Sequence, residues 1–148
     1  MKYNVWIVLI LISGCIKDSG SEINALEPDF VTSDGTKIHI ESGELLAALD
    51  DINDYWIDTQ HCLQMTAPTP EIVITEDLSK VCDGPVYDWT DAAHCNNGNG
   101  WFIAIKSIVS RIRQRYKHEF IHYVRNANGD LEHELHAEND PLWMCQWN

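Results

Sequence analysis

Trp101-Phe102-Ile103-Ala104-Ile105, continuing through Lys106 and Ser107 into Ile108, Val109, Ile112, Tyr116, Phe120, Ile121 and Val124, is the stretch on which the fold turns. Its first five residues form an unbroken apolar run rich in aromatic and β-branched side chains, which reads as a buried strand. The apolar positions that follow recur at helical spacing, so Ser107 or Ser110 opens a long helix, and Gly129 supplies its C-terminal stop. Toward the N-terminus, Pro68 and Pro70 break the chain ahead of Glu71-Ile72-Val73-Ile74-Thr75, a second β-rich run. Earlier still, Thr36-Lys37-Ile38-His39-Ile40-Glu41 alternates as a short strand does. Ser42 then stands as a cap before Leu45, Leu46, Ala48, Leu49, Ile52 and Trp56, predicting a helix from about Gly43 to Asp58. Residues 82–100, rich in Asp, Asn and Gly, read as loop with a short strand around Val86–Trp89. The order strand, helix, strand, strand, helix, irregular tail predicts an α+β domain.

The 148 residues make one domain. Twenty-three acidic residues against ten basic ones give a formal charge of −13, which excludes a nucleic-acid partner, since that role needs a basic face. An apolar fraction of 45 % with six tryptophans excludes a disordered chain. Two counts stand out: five cysteines, an odd number, and seven histidines, four of them between positions 118 and 136.

The N-terminus accounts for the odd cysteine. Lys2 precedes an apolar run from Val5 to Ile12, too short to span a bilayer but of the length of a signal-peptide core. Ile12-Ser13-Gly14-Cys15 resembles the lipobox of bacterial lipoproteins, which implies removal of residues 1–14 and a lipid on Cys15. The mature chain then has 134 residues, and loss of Lys2 takes its formal charge from −13 to −14. Residues 15–35 are expected to be the lipidated cysteine and a polar tether, leaving 36–148 as the folded domain. Cys62, Cys82, Cys95 and Cys145 remain, an even number for an oxidising compartment. Of three possible pairings, the short gap between Cys82 and Cys95 favours a local staple, with Cys62 tied to Cys145. No pair has the close spacing of a zinc knuckle.

Within the last helix lies His118-Glu119-Phe120-Ile121-His122, an HExxH arrangement. Residues four apart share a helix face, so both imidazoles can reach one metal ion, and Glu119 can approach a metal-bound water from the side. Random placement of seven His and ten Glu would produce these three letters in about 2 % of such chains, so the motif outweighs chance. Three further expectations are weaker. The basic stretch Arg111, Arg113, Arg115 and Lys117 reads as a solvated helix face. Tyr123 reads as a packed tyrosine, with oxyanion stabilisation as the alternative. His39, His61 and His94 read as isolated structural or surface residues.

The motif resembles that of the zincin-type metallopeptidases. From His118 to Cys145 the chain is similar to the ending of small bacterial lipoprotein and secreted families with a peptidase-like helix: HExxH, the Gly129-Asp130 turn, a further His at 136, then Pro141-Leu142-Trp143-Met144-Cys145. The resemblance implies a minimal zincin-like α+β domain with a small twisted sheet, a backing helix and an active-site helix, stapled by disulfides. It implies zinc held by His118, His122 and a third ligand, with one position left for water. His136 is favoured as that ligand because it lies nearer than His133 to the Pro141–Trp143 anchor and the Cys145 staple. His133 is the alternate, and Glu134 or Glu138 remain open. The metzincin pattern does not fit, since Arg125 stands at its glycine and Asn128 at its third histidine.

The expected activity is zinc-dependent hydrolysis of a peptide or protein substrate, with Glu119 as general base. The expected setting is the bacterial cell envelope, with the chain lipid-anchored through Cys15 and monomeric. The 101–105 strand is expected to act as an edge strand that pairs with an extended substrate. The alternative is a non-catalytic lipoprotein that uses the same fold as a binding module.

Overall fold

A computed structural model describes residues 27–82, 90–96, 100–130 and 141–147. The expected signal peptide, Cys15, most of the expected tether, the strand expected at Val86–Trp89, and His133, Glu134, His136 and Glu138 lie outside the described residues. The chain folds as an α+β domain with the elements β1 (Phe30–Val31), β2 (Lys37–Ile40), α1 (Leu49–Leu63), β3 (Glu71–Thr75), β4 (Ala92–Asn96), β5 (Trp101–Lys106) and α2 (Arg113–Ala127). Short 3₁₀ turns follow at Leu78–Lys80, Ser107–Val109 and Pro141–Gln146.

The five strands form one mixed sheet in the order β1-β2-β3-β5-β4. β2, β3 and β5 are parallel, with Ile38 opposite Ile72 and Ile72 opposite Ile103, while β1 and β4 run antiparallel at the two edges. Parallel strands covered on both faces read as continuous apolar runs. β3 and β5 show this, for Ile72 to Thr75 and Phe102 to Ile105 are all buried. The alternation of side chains divides them. Ile38, Ile72, Ile74, Ile103 and Ile105 face both helices, whereas Val73, Phe102 and Ala104 face the opposite side with Leu78 and Val81.

β5 is therefore an interior strand, paired on both sides, and the edge role expected for it belongs to β4. Residues 92–96 had read as loop because Asn and Gly surround them. They form a strand because β5 offers an edge that Ala92, Ala93 and Cys95 can cover. The folded body also begins before residue 36, since Phe30 and Val31 pair with Ile38 and Lys37 and so belong to the sheet, not the tether.

Two serine caps expected from the sequence are used differently. α1 starts at Leu49, six residues later than expected, with Ala48 as an N-cap that makes no side-chain bond. Ser42 is taken up at the sheet end instead, where its hydroxyl accepts the amide of Glu76 at 2.9 Å. Ser107 and Ser110 do not cap α2, which starts at Arg113 after Ile112. Their hydroxyls fasten the 44–46 segment: Ser107 Oγ accepts from Glu44 N at 2.8 Å and donates to Glu44 O at 2.8 Å, and Ser110 Oγ accepts from Leu46 N at 2.9 Å. This close approach requires Gly43. Its φ is +80°, and a Cβ there would lie 2.5 Å from that of Ser107.

α1 buries Ile52, Trp56, Thr59 and Leu63 along one stripe and closes at Gln64 in the left-handed region. α2 stops where expected. Gly129 takes φ +77°, its amide bonds Asn126 O, and the Asp130 amide reaches back to Arg125 O at 3.0 Å, a Schellman closure. Both disulfides form with the favoured pairing. Cys62–Cys145 ties α1 to the C-terminal turn, and Cys82–Cys95 ties the 78–82 turn to β4.

Candidate functional site

α2 is buried almost all round, by α1 on one side, β4 and β5 on another and the Pro141–Gln146 turn on a third. This is why polar residues of the helix interior, Lys117, Glu119, His122 and Arg125, are 5 % exposed or less. Polar groups are buried only where a partner or a function compensates the lost hydration, so their position on one helix marks it as the place to look for chemistry.

The helical spacing brings the two imidazoles together. His118 Nε2 and His122 Nε2 lie 3.3 Å apart. Two nitrogens each about 2.05 Å from a tetrahedral zinc are about 3.3 Å apart, so the separation fits one shared metal ion. Gln146 Oε1 lies 3.1 Å from His118 Nδ1, on the far side of that ring. Trp143 packs against both imidazoles, with ring centres 5.1 Å from His118 and 4.8 Å from His122, and the Arg125 guanidinium lies 5.4 Å from the Trp143 ring. Arg125 in turn pairs with Asp130 just past the helix end. Glu119, between the two histidines in sequence, is 5 % exposed. Among the described residues, no group of three His, Cys, Asp or Glu side chains is placed to hold one metal ion. The expected third ligand, His136 or His133, lies outside them.

His94 is not the isolated residue its sequence position suggested. On edge strand β4 it projects to the helical side, its ring stacked on Trp101 at 4.4 Å and nearly parallel to the His122 ring at 6.4 Å. Tyr123 stands edge-on to His94 at 5.8 Å and to Trp56 at 6.1 Å. Burial, with a smaller push from the Glu71 carboxylate, raises the Tyr123 phenol above its usual pKa, which suits a packed neutral tyrosine. His39 is buried in β2, and His61 is exposed on α1.

The basic stretch before the motif is solvated, as expected, at Arg111 and Arg115 and in part at Arg113, and departs from that reading at Lys117. Arg113 pairs with Asp58 at 3.3 Å and Arg115 with Asp91 at 3.1 Å. Lys117 is 1 % exposed, 3.9 Å from Asp58. Its burial, with the nearby Arg113 charge, lowers the ammonium pKa against the opposing pull of Asp58. These cations thus fasten α2 to α1 and to the segment before β4.

Sequence reasoning missed Gln146 and His94 as neighbours of the histidine pair. The only signal for Gln146 was its place beside Cys145, whose disulfide carries it to α1. Comparison of the chain with protein-family models, with curated proteins and with solved structures gives no match.

Proposed function

We propose that this chain is a zinc-dependent peptidase with a minimal zincin-like domain, anchored to the bacterial cell envelope through a lipid on Cys15. The observation that carries the reading is the 3.3 Å separation of His118 Nε2 and His122 Nε2 beside the buried Glu119. His118 and His122 would hold the metal together with His136 or His133. A zinc ion bound there would supply Lewis acidity, polarising a peptide carbonyl and making water a nucleophile near neutral pH. Glu119 takes the proton of the attacking water and hands it to the leaving amine. β4, at the sheet edge on the side of His122, suits an extended peptide laid alongside it as an added strand. The Ile12-Ser13-Gly14-Cys15 sequence supports the anchor, and two disulfides suit an oxidising compartment. No helix among the described residues is long and apolar enough to cross a membrane.

The test is turnover of a broad peptide library by the zinc-loaded protein beside Glu119→Gln. Loss of about 10²–10⁴-fold in rate with zinc content unchanged is expected, and equal rates would remove Glu119 as the base. Metal analysis of His136→Ala and His133→Ala in the same series identifies the third ligand. The second reading is a non-catalytic binding module on the same fold. It expects no cleavage even where zinc binds.

A further inference from the structure

We propose that Gln146 is a positioning residue for His118. It holds the imidazole in the tautomer with the proton on Nδ1, so that Nε2 presents its lone pair toward His122. The inference rests on the reading of His118 and His122 as metal ligands and extends it to the group that sets one of them.

A neutral imidazole carries one N–H and one acceptor nitrogen, and only the bare nitrogen can bind a metal. If the His118 proton sat on Nε2, that N–H would donate to His122 Nε2 across the 3.3 Å gap and close the site to a cation. An amide oxygen can only accept. Gln146 Oε1, 3.1 Å from Nδ1, therefore draws the proton to the outer nitrogen and frees the inner one.

The placement of Gln146 supports a dedicated role. It is the last residue of the Pro141–Gln146 turn and follows Cys145, which is bonded to Cys62 on α1. Two residues before that cysteine, Trp143 lies against both imidazoles. One short turn thus delivers the hydrogen-bond acceptor and the wall against which the rings rest, and a disulfide fixes the turn to the helix across from α2.

The experiment uses wild type, Gln146→Met and Gln146→Glu. Long-range ¹H–¹⁵N spectra of the metal-free proteins at pH 8 read the His118 tautomer, and chelator competition reads the zinc dissociation constant. Wild type is expected to carry the His118 proton on Nδ1. Gln146→Met should shift it toward Nε2 and weaken zinc binding by about 10–100-fold. Gln146→Glu, which keeps an acceptor, should restore the wild-type tautomer and bind zinc within a few-fold of wild type. A wild-type proton on Nε2, or a Met variant unchanged in both readouts, would overturn the proposal. If wild type takes up no zinc, the ligand reading of the histidine pair falls, while the metal-free tautomers still decide the role of Gln146.

Discussion

The two faces of the sheet are built on different scales. On one, α1, α2 and the C-terminal turn cover Ile38, Ile72, Ile74, Ile103 and Ile105 with large side chains, among them Trp56, Tyr116, Phe120, Ile121, Val124 and Trp143. On the other, among the described residues, Val73, Phe102 and Ala104 meet Leu78, Val81, Ala93 and the cystine of Cys82 and Cys95. Each face has its own disulfide, but only that of the helical face reaches the histidine pair. Among the described residues, the thick face therefore holds both the greater share of the core and the histidine pair. Among the described residues, the thin face has the smaller apolar cluster and carries a covalent link beside it, as small cores do.

The sharpest way to break this contrast is to remove the disulfides one at a time. Replacing Cys62 and Cys145 by serine opens a link with a sequence separation of 83. Chain entropy then expects a loss of about 4.5 kcal/mol. Because the freed turn carries Trp143 and Gln146, zinc affinity should fall as well. Replacing Cys82 and Cys95, separated by 13 residues, should cost about 3 kcal/mol and leave zinc affinity as it was. Denaturant titration and chelator competition on both variants check the pair. Equal effects on zinc would dissolve the distinction between the faces.

A smaller effect is expected inside the thick face. Tyr116 is fully buried between the helices, and its hydroxyl has no hydrogen-bond partner among the described residues. Tyr116→Phe should leave stability at pH 7 unchanged or raise it by up to about 1 kcal/mol. Burial, and then the neighbouring Tyr55, push the Tyr116 phenol well above its ordinary value. Above about pH 10 the unfolded tyrosine ionises while the folded one stays neutral, so the unfolded chain binds fewer protons and stability falls as pH rises. The phenylalanine variant lacks this loss, and its advantage should widen from pH 9 to 11. Lys117, whose lowered pKa acts in the opposite sense, is common to both proteins and drops out of the difference. A variant destabilised by more than about 1 kcal/mol would show that the hydroxyl has a partner after all.

Much of the frame was legible because local and tertiary signals agreed. Glu71–Thr75 is a strand with the expected bounds, 101–105 is a strand extended by Lys106, and Gly129 ends α2. The cysteine spacing also pointed to the observed pairing. The failures occur where tertiary partners outbid a local rule. Ser42, Ser107 and Ser110 each had the position of a helix cap, yet each bonds a segment more than thirty residues away. β4 lacked a strand's composition and formed because β5 had an open side. His94 lies near His122 only because that strand pairs there, and Gln146 reaches His118 only because Cys145 finds Cys62. In the site, the helix-borne residues could be read from one turn of sequence, whereas those from other elements depend on topology.

The Ser107–Ser110 fastening also bears on how related chains can be recognised where overall similarity has faded. It couples three positions: a glycine at 43, a hydroxyl at 107 and a hydroxyl three residues on. A side chain at 43 would collide with Ser107, and loss of either hydroxyl would leave the amide of Glu44 or of Leu46 without its acceptor. Gly43 follows β2, and Ser110 stands eight residues before His118. A search for glycine after the first long strand, with Ser-x-x-Ser just ahead of HExxH, therefore uses a signature set by geometry instead of by catalysis. It would pick out relatives that have kept this fold even where the histidines have been replaced.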